Sequence, residues 1–349
     1  MKFKIGKTYV GDNSPCFVVA ELSGNHNGEF SRAKKMLIKA KQSGANAVKL
    51  QTYKPETITL NSNRKDFLIG KKSPWKIKKN FWSLYKNAFT PWEWHQKLFS
   101  LAKKLKIEIF SSPFDETAVD LLEKLRCPAY KIASAEINHI PLLERVAKTK
   151  KPVILSKGLA TQNDIDLALK TLKKNGCKKI IILQCVSSYP SPINEQNLRL
   201  IPIIKKKYKV LSGLSDHTLG SIAALTSVAL GGSVLEKHFN LNDNTKTVDS
   251  FFSLNNNDFK KMVEGIRDVE TSLGKSVFKI DKSSMENFYS RRSIYVSEKI
   301  LKNQLITTKN VKVVRPGYGL EPKFLKKILG KRSKKNLIPG TRFKLSYCK

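Results

Sequence analysis

Acidic residues are scarce in this sequence: 28 Asp and Glu stand against 65 Lys and Arg, a formal net charge of +37. No apolar run reaches the roughly 18 residues that a membrane-crossing helix needs. The opening Met-Lys-Phe-Lys-Ile-Gly-Lys is too polar for the apolar stretch of a secretory signal. Cysteine is sparse and scattered (Cys16, Cys127, Cys177, Cys185, Cys348), odd in number and never spaced C-x-x-C. That pattern excludes a disulfide framework and predicts buried thiols in a reducing cytoplasm. The excess of lysine comes without zinc-finger spacing, an RNP signature or a basic-leucine pattern. It is spread over pairs and triplets such as Lys34-Lys35, Lys103-Lys104 and Lys205-Lys206-Lys207. We read it as a solvated face that steers an anionic small substrate, not as a specific nucleic-acid surface. Gly274-Lys275-Ser276 ends like a phosphate-binding loop, but Val269 stands where the earlier glycine would be.

What is present is a regular alternation. Eight β-rich runs occupy residues 17–22, 47–53, 107–112, 129–134, 152–156, 180–185, 210–215 and 233–238. Helix-period stretches lie between most of them, as in 31–42, where Met36, Leu37 and Ala40 mark an apolar face. Alternation of this kind predicts parallel strands closed into a (β/α)8 TIM barrel. Nearly every run is apolar early and polar late: Glu21, Lys49, Ser112, Ser134, Ser156, Ser215 and His217, then Glu236 and His238. Barrel enzymes build their sites at that end. The boundaries expected are a barrel over 1–275, a linker over 276–290 and a small β-rich domain over 291–349. Residues 54–90 form a long insertion rich in tryptophan, readable as a lid, a sugar platform or a satellite core.

Three groups carry chemistry. His217 and His238 come from neighbouring strand ends and could hold one divalent metal with open positions for substrate. Lys49 and Lys131 lie inside strands, where an ammonium group is costly unless an anion meets it. With Ser112, Ser134, Ser156 and Ser215 they suggest a phosphate or carboxylate cradle, the alternative being internal pairing with Glu21 or Glu136. His26, in Gly24-Asn25-His26-Asn27-Gly28, could touch substrate or stabilise its turn; His95 and His139 read as structural or surface.

Four segments then carry a resemblance: Val19–Gly28, Lys131–Glu136, Gly213–Thr218 and Glu236–Phe239. With Val314-Arg-Pro-Gly-Tyr-Gly-Leu320, they resemble the sialic acid synthase family, whose members condense phosphoenolpyruvate (PEP) with N-acylated amino sugars. The segments Pro74-Trp75, Leu84-Tyr85, Thr90–His95, Phe110–Phe114 and Asp249–Leu254 are similar to the branch that makes pseudaminic acid. Sister branches using N-acetylmannosamine or the legionaminic precursor are the alternatives, and a basic nucleic-acid-binding barrel is a remote one. The resemblance implies that the terminal domain is antifreeze-like (SAF-type). It also implies PEP-binding roles for Lys49, Ser112, Lys131, Ser134, Ser156, Ser187 and Ser215. Glu21 and Glu136 correspond to catalytic positions, Tyr189, Asp249 and Arg315 to sugar-binding ones, and His217 and His238 to ligands of Mn2+ or Mg2+. It further implies a domain-swapped homodimer in which Arg315 reaches the partner's site. Val186 and Lys157 depart from the family, each standing where threonine is usual or frequent.

Overall fold

The computed structural model describes residues 1–349. A hairpin of β1 (Lys2–Ile5) and β2 (Thr8–Gly11) precedes eight parallel strands. These are β3 (Phe17–Glu21), β4 (Ala47–Thr52), β5 (Glu108–Pro113), β6 (Tyr130–Ile132), β7 (Val153–Ser156), β8 (Ile180–Cys185), β9 (Leu211–Asp216) and β10 (Val234–Asn240). Each pairs with the next, and β10 also pairs with β3 through Val234↔Phe17 to His238↔Glu21, so the sheet closes into a barrel. The two-residue β11 (Leu254–Asn255) extends β10.

Every residue of β3, β7, β8, β9 and β10 is buried. This follows from a sheet with helices outside and side chains inside, and it explains why these runs are near-continuously apolar. The helices are α1 (Phe30–Gln42), α2 (Pro55–Ile58), α3 (Phe81–Ala88), α4 (Trp92–Leu105), α5 (Glu116–Lys124), α6 (Ile140–Lys148), α7 (Gln162–Lys174), α8 (Leu200–Tyr208), α9 (Ile222–Ala229) and α10 (Asn256–Ser272). Met36, Leu37 and Ala40 are fully buried, as the periodicity of α1 requires. Asn80, Asp115, Thr161 and Asn255 each accept a backbone N–H in the first turn of the helix that follows, satisfying donors that would otherwise be orphaned. Much of the lysine excess sits in last turns, including Lys39 and Lys41 of α1, Lys103 and Lys104 of α4 and Lys173 and Lys174 of α7. There it faces the negative end of the helix dipole.

Strand ends differ from the sequence reading by one or two residues. The hairpin, α6 and α8 were not anticipated. No helix is long and apolar enough to cross a membrane, and all five cysteines are free and buried.

The chain divides into two compact units, Met1–Gly274 and Lys275–Lys349. The second contains the antiparallel pair β12 (Ser293–Val296) and β13 (Val311–Val314). Its own small core includes Ile294, Ile300, Ile306, Val311, Ile328 and Phe343.

Candidate active site at the C-terminal strand ends

A cavity of about 480 Å3 opens at the C-terminal ends of the barrel strands. Ten residues expected from the sequence line it: Lys49, Lys131, Ser134, Glu136, Ser156, Tyr189, Ser215, His217, His238 and Asp249. Alternation along each strand brings this about. Glu236 and His238 of β10 share the inner face, whereas Lys237 between them points out.

The lysines meet an anion inside the protein. Lys49 Nζ lies 2.9 Å from Glu21 Oε2 and 3.0 Å from Glu236 Oε1, and Lys131 Nζ lies 3.4 Å from that same Glu236 oxygen. Ser215 Oγ donates to it at 3.1 Å. The internal partners are therefore Glu21 and Glu236 instead of Glu136. Burial pushes the Lys49 ammonium down to about 8, with Glu236 opposing that and Lys131 adding to it. Burial acts to raise the Glu236 carboxyl, but Lys131 and Lys49 outweigh it and hold it well below the usual range. An incoming anion would relieve the two desolvated ammonium groups.

Buried polar atoms without partners belong to four residues of the cavity lining, at Ser156 Oγ, Glu136 Oε2, Glu236 Oε2 and His238 Nδ1, and Ser112 Oγ is another behind it. Proteins pair nearly all such atoms, so a concentration of exceptions marks a place for a ligand. Ser134 Oγ and Ser187 Oγ lie 2.7 Å apart. A Cβ on Gly158 would fall 2.3 Å from Ser187 Oγ, so only glycine lets the turn after β7 approach these hydroxyls.

The rings of His217 and His238 are 5.4 Å apart. His217 Nδ1 donates to the Val186 carbonyl at 2.9 Å, which leaves Nε2 as the ring nitrogen turned to other partners. Burial, then His217 and Lys49, push His238 well below the ordinary imidazole range, so it is neutral. Tyr189 packs 4.4 Å from His217 and Phe252 4.6 Å from His238, walling both rings from water. No cluster of three or more His, Cys, Asp or Glu is arranged to hold a metal. Two imidazoles with open nitrogens nevertheless fit a divalent ion whose other positions go to water and substrate.

The pair is braced from behind. Lys237 Nζ is 2.7 Å from Asp216 Oδ2, with neither side chain exposed, and it also donates to the Thr218 carbonyl at 2.6 Å. Asp216 Oδ1 accepts from both Thr218 N and Oγ1 at 2.8 Å. Residues 216–218, with His217 at the centre, are thus clamped to the strand that carries His238.

Glu136 lines the cavity, and burial raises its carboxyl to about 7 against the lowering effect of Lys131 and Lys49. Burial likewise raises Asp249, opposed by Ser23 and Gly24. Glu21, Ser112 and Ser187 do not line the cavity. Glu21 is fully enclosed one layer back, where its Oε1 accepts from Ser23 N and Gln51 Nε2. Arg315 belongs to the second unit and is exposed after β13. His26 holds its own turn, accepting from Gly28 N at 3.1 Å, and burial pushes it down to about 4. His95 Nε2 meets Thr52 Oγ1 at 2.8 Å in the buried structure around β4.

The sequence reading gave no site role to Glu236, Gln51 or Phe252 and left the insertion that holds Trp75, Phe81 and Tyr85 as a lid, a sugar platform or a satellite core; all six residues line the cavity. Glu236 was legible in principle, because it stands two residues before His238 and shares its face.

Residues 36–278 match the NeuB family and residues 291–344 the SAF domain. Over 329 residues the chain is 45% identical to the pseudaminic acid synthase of Helicobacter pylori, covering 94% of this chain and 96% of that one. It is 41% identical to the pseudaminic acid synthase of Campylobacter jejuni serotype O:23/36, over 95% and 96% of the two chains. The crystal structure of N-acetylneuraminic acid synthetase from Leptospira borgpetersenii in complex with citrate superposes with a TM-score of 0.73 at 30% identity, over 82% and 95%. A family match spanning most of the barrel, with relatives aligned along nearly the whole length, is more than a shared architecture: the chain belongs to the NeuB family.

Proposed function

We infer that this chain is a PEP-dependent nonulosonic acid synthase. It condenses PEP with 2,4-diacetamido-2,4,6-trideoxy-altrose and water to give pseudaminic acid and inorganic phosphate. The observation that carries the reading is the pair of buried lysines beside two open imidazoles in one cavity. This is an anion cradle next to a group that can hold an electrophile. The relatives' pseudaminic acid synthase identity selects the sugar; an N-acetylneuraminate or legionaminate synthase is the second reading.

Lys49, Lys131 and the hydroxyls of Ser112, Ser134, Ser156, Ser187 and Ser215 form the proposed PEP site. The two ammonium groups take the phosphate and carboxylate, and the unpartnered hydroxyls complete the hydrogen bonds. His217 and His238 would hold a divalent manganese or magnesium ion. When bound, such an ion polarises a carbonyl as a Lewis acid. C3 of PEP forms a bond to the aldehyde carbon of the open-chain sugar, and the aldehyde oxygen takes up a proton. Glu136, kept protonated near neutral pH by burial, stands as the donor. Water adds to C2 and gives up its proton, and the C2–O bond to phosphate breaks. Glu21 serves this chemistry through the groups it holds, Lys49 and Gln51. Tyr189 and Asp249 are assigned to the sugar.

Residues 1–275 form the proposed catalytic domain and 291–349, after the 276–290 linker, a domain that lends Arg315 to a second subunit in a domain-swapped homodimer. We place the enzyme in the cytoplasm. Neither a specific nucleic acid nor a membrane is a proposed partner.

Phosphate release from PEP, measured with a panel of diacetamido and monoacetamido hexoses in 18O-labelled water, tests the reading. Release that depends on the diacetamido sugar, with label in the nonulosonic acid, is expected. Label confined to phosphate would exclude C–O cleavage, and release with none of the sugars would remove the function.

A further inference from the structure

We propose that the segment between β4 and β5 is the specificity surface of this enzyme, selecting an amino sugar whose chain end carries a methyl group instead of a hydroxymethyl. The inference rests on the functional reading above and names the part of the site that distinguishes sugar classes.

The cavity has two chemically different sides. The barrel strand ends supply the charged and hydroxyl groups described above. The insertion supplies Ile58, Trp75, Phe81, Leu84, Tyr85 and Ala88. This side offers a ligand almost no hydrogen bonds. The one indole N–H on it, Trp75 Nε1, is already given to the Val248 carbonyl at 2.9 Å. The Tyr53 phenol, which also lines the cavity, donates to the Tyr85 carbonyl at 3.4 Å, and the Tyr85 phenol is the remaining polar side-chain group. Leu84 and Ala88 are buried, while Ile58, Trp75, Phe81 and Tyr85 are half-buried and line the cavity. The segment is therefore a wall and not merely a satellite core.

The wall is also preformed. Asn80 caps α3 by accepting from Ser83 N at 2.9 Å. Tyr85 is wedged between Phe81, at 6.1 Å, and Tyr53, at 5.8 Å. Trp75 leans on Tyr189 at 5.5 Å, which itself contacts His217. A Cβ on Gly24 would meet Ala88 Cβ at 3.0 Å, so α3 sits directly on the turn after β3. A rigid surface of this kind cannot turn a donor or acceptor toward a new hydroxyl.

A ligand bound between these sides needs one polar face and one apolar face. A diacetamido, 6-deoxy sugar has them: hydroxyls and the aldehyde on one side, acyl methyls and the C6 methyl on the other. A C6 hydroxyl placed against the wall would lose water and gain no partner. Apolar surfaces reject an added hydroxyl only moderately, by roughly ten- to hundredfold, and that is the preference expected here.

The test uses a matched pair of diacetamido hexoses that differ only in a methyl or hydroxymethyl at C6. Phosphate release from PEP is followed for the wild-type protein and for Ile58→Asn, Phe81→Asn and the conservative Phe81→Leu. The wild type should favour the methyl sugar by about ten- to hundredfold in kcat/KM. Each Asn variant should shrink that ratio about tenfold with the KM for PEP unchanged, and Phe81→Leu should preserve it. The two positions are half-buried and independent, so one folded Asn variant is enough, and equal turnover by the wild type overturns the inference even without variants. Turnover of both sugars at equal efficiency, or a ratio indifferent to the Asn substitutions, overturns the inference and leaves the functional reading intact. No release with either sugar overturns the functional reading, and the inference falls with it.

Discussion

Replacing Lys237 with Met should destabilise the barrel more than any change on its lysine-rich exterior. The substitution preserves much of the side chain's volume and removes one ammonium group. Asp216 keeps its two bonds from Thr218, but Oδ2 loses its 2.7 Å partner and the Thr218 carbonyl loses a 2.6 Å donor. Neither member of the pair is exposed, so water cannot compensate. Breaking a buried pair on one side costs about 3–5 kcal/mol, because the surviving charge is left uncompensated. The Lys260–Glu264 pair is the internal control: at 3.8 Å with both side chains about three-fifths exposed, its loss in Lys260→Met should change stability by less than about 0.5 kcal/mol. Urea unfolding followed by circular dichroism measures both. The double variant Lys237→Met/Asp216→Asn removes the stranded charge while keeping a side-chain oxygen for Thr218, and should recover about 2 kcal/mol of the loss. Since the clamp surrounds His217, the folded Lys237→Met protein should also bind Mn2+ about 10- to 100-fold more weakly, the usual effect of removing support behind a ligand. A Lys237→Met protein within about 1 kcal/mol of wild type, or strict additivity in the double variant, would refute the argument.

Three further outcomes are expected. His217→Ala and His238→Ala should each abolish turnover and weaken Mn2+ binding measured by titration; full activity in both after exhaustive chelation would remove the metal role. Glu136 should set an alkaline limb: kcat/KM should fall above about pH 7 as its proton is lost, and Glu136→Gln should flatten that limb. The stability linked to Glu136 has the same sign. Its folded value lies above the ordinary 4.5, so its contribution is complete below 4.5 and is lost as pH rises through about 7. Unfolding midpoints of wild type and Glu136→Gln should therefore agree at low pH and separate as pH rises through about 7, where only the wild type loses this stability, and midpoints that stay parallel across that range would contradict it. Arg315→Ala should raise the sugar KM far more than the PEP KM. Mixing that subunit with His217→Ala should restore about one working site per heterodimer, and an inactive mixture of proven heterodimers would rule out a shared site.

By itself the sequence was sufficient for the architecture. Eight apolar runs, each turning polar at its end, could bury their early residues only in a closed parallel sheet and present their late ones only at one rim. Local periodicity carries that information, and β8 and, within one residue, α1 fall where it put them. It also identified both imidazoles and both inward lysines, because a charged group amid apolar strand residues is conspicuous in one dimension. Partnership was not legible. Lys49 sits near Glu21 in the strand register, but Glu236, 187 residues away along the chain, reaches it only because β10 curves round to close the barrel on β3. The same closure places Glu21 behind the cavity lining and Glu136 at its surface, two carboxylates that looked equivalent as letters. The insertion's aromatic residues offered no period to follow. Whether they formed a core or a wall depended on what lay opposite them, and that is settled only when strands distant in sequence are brought face to face.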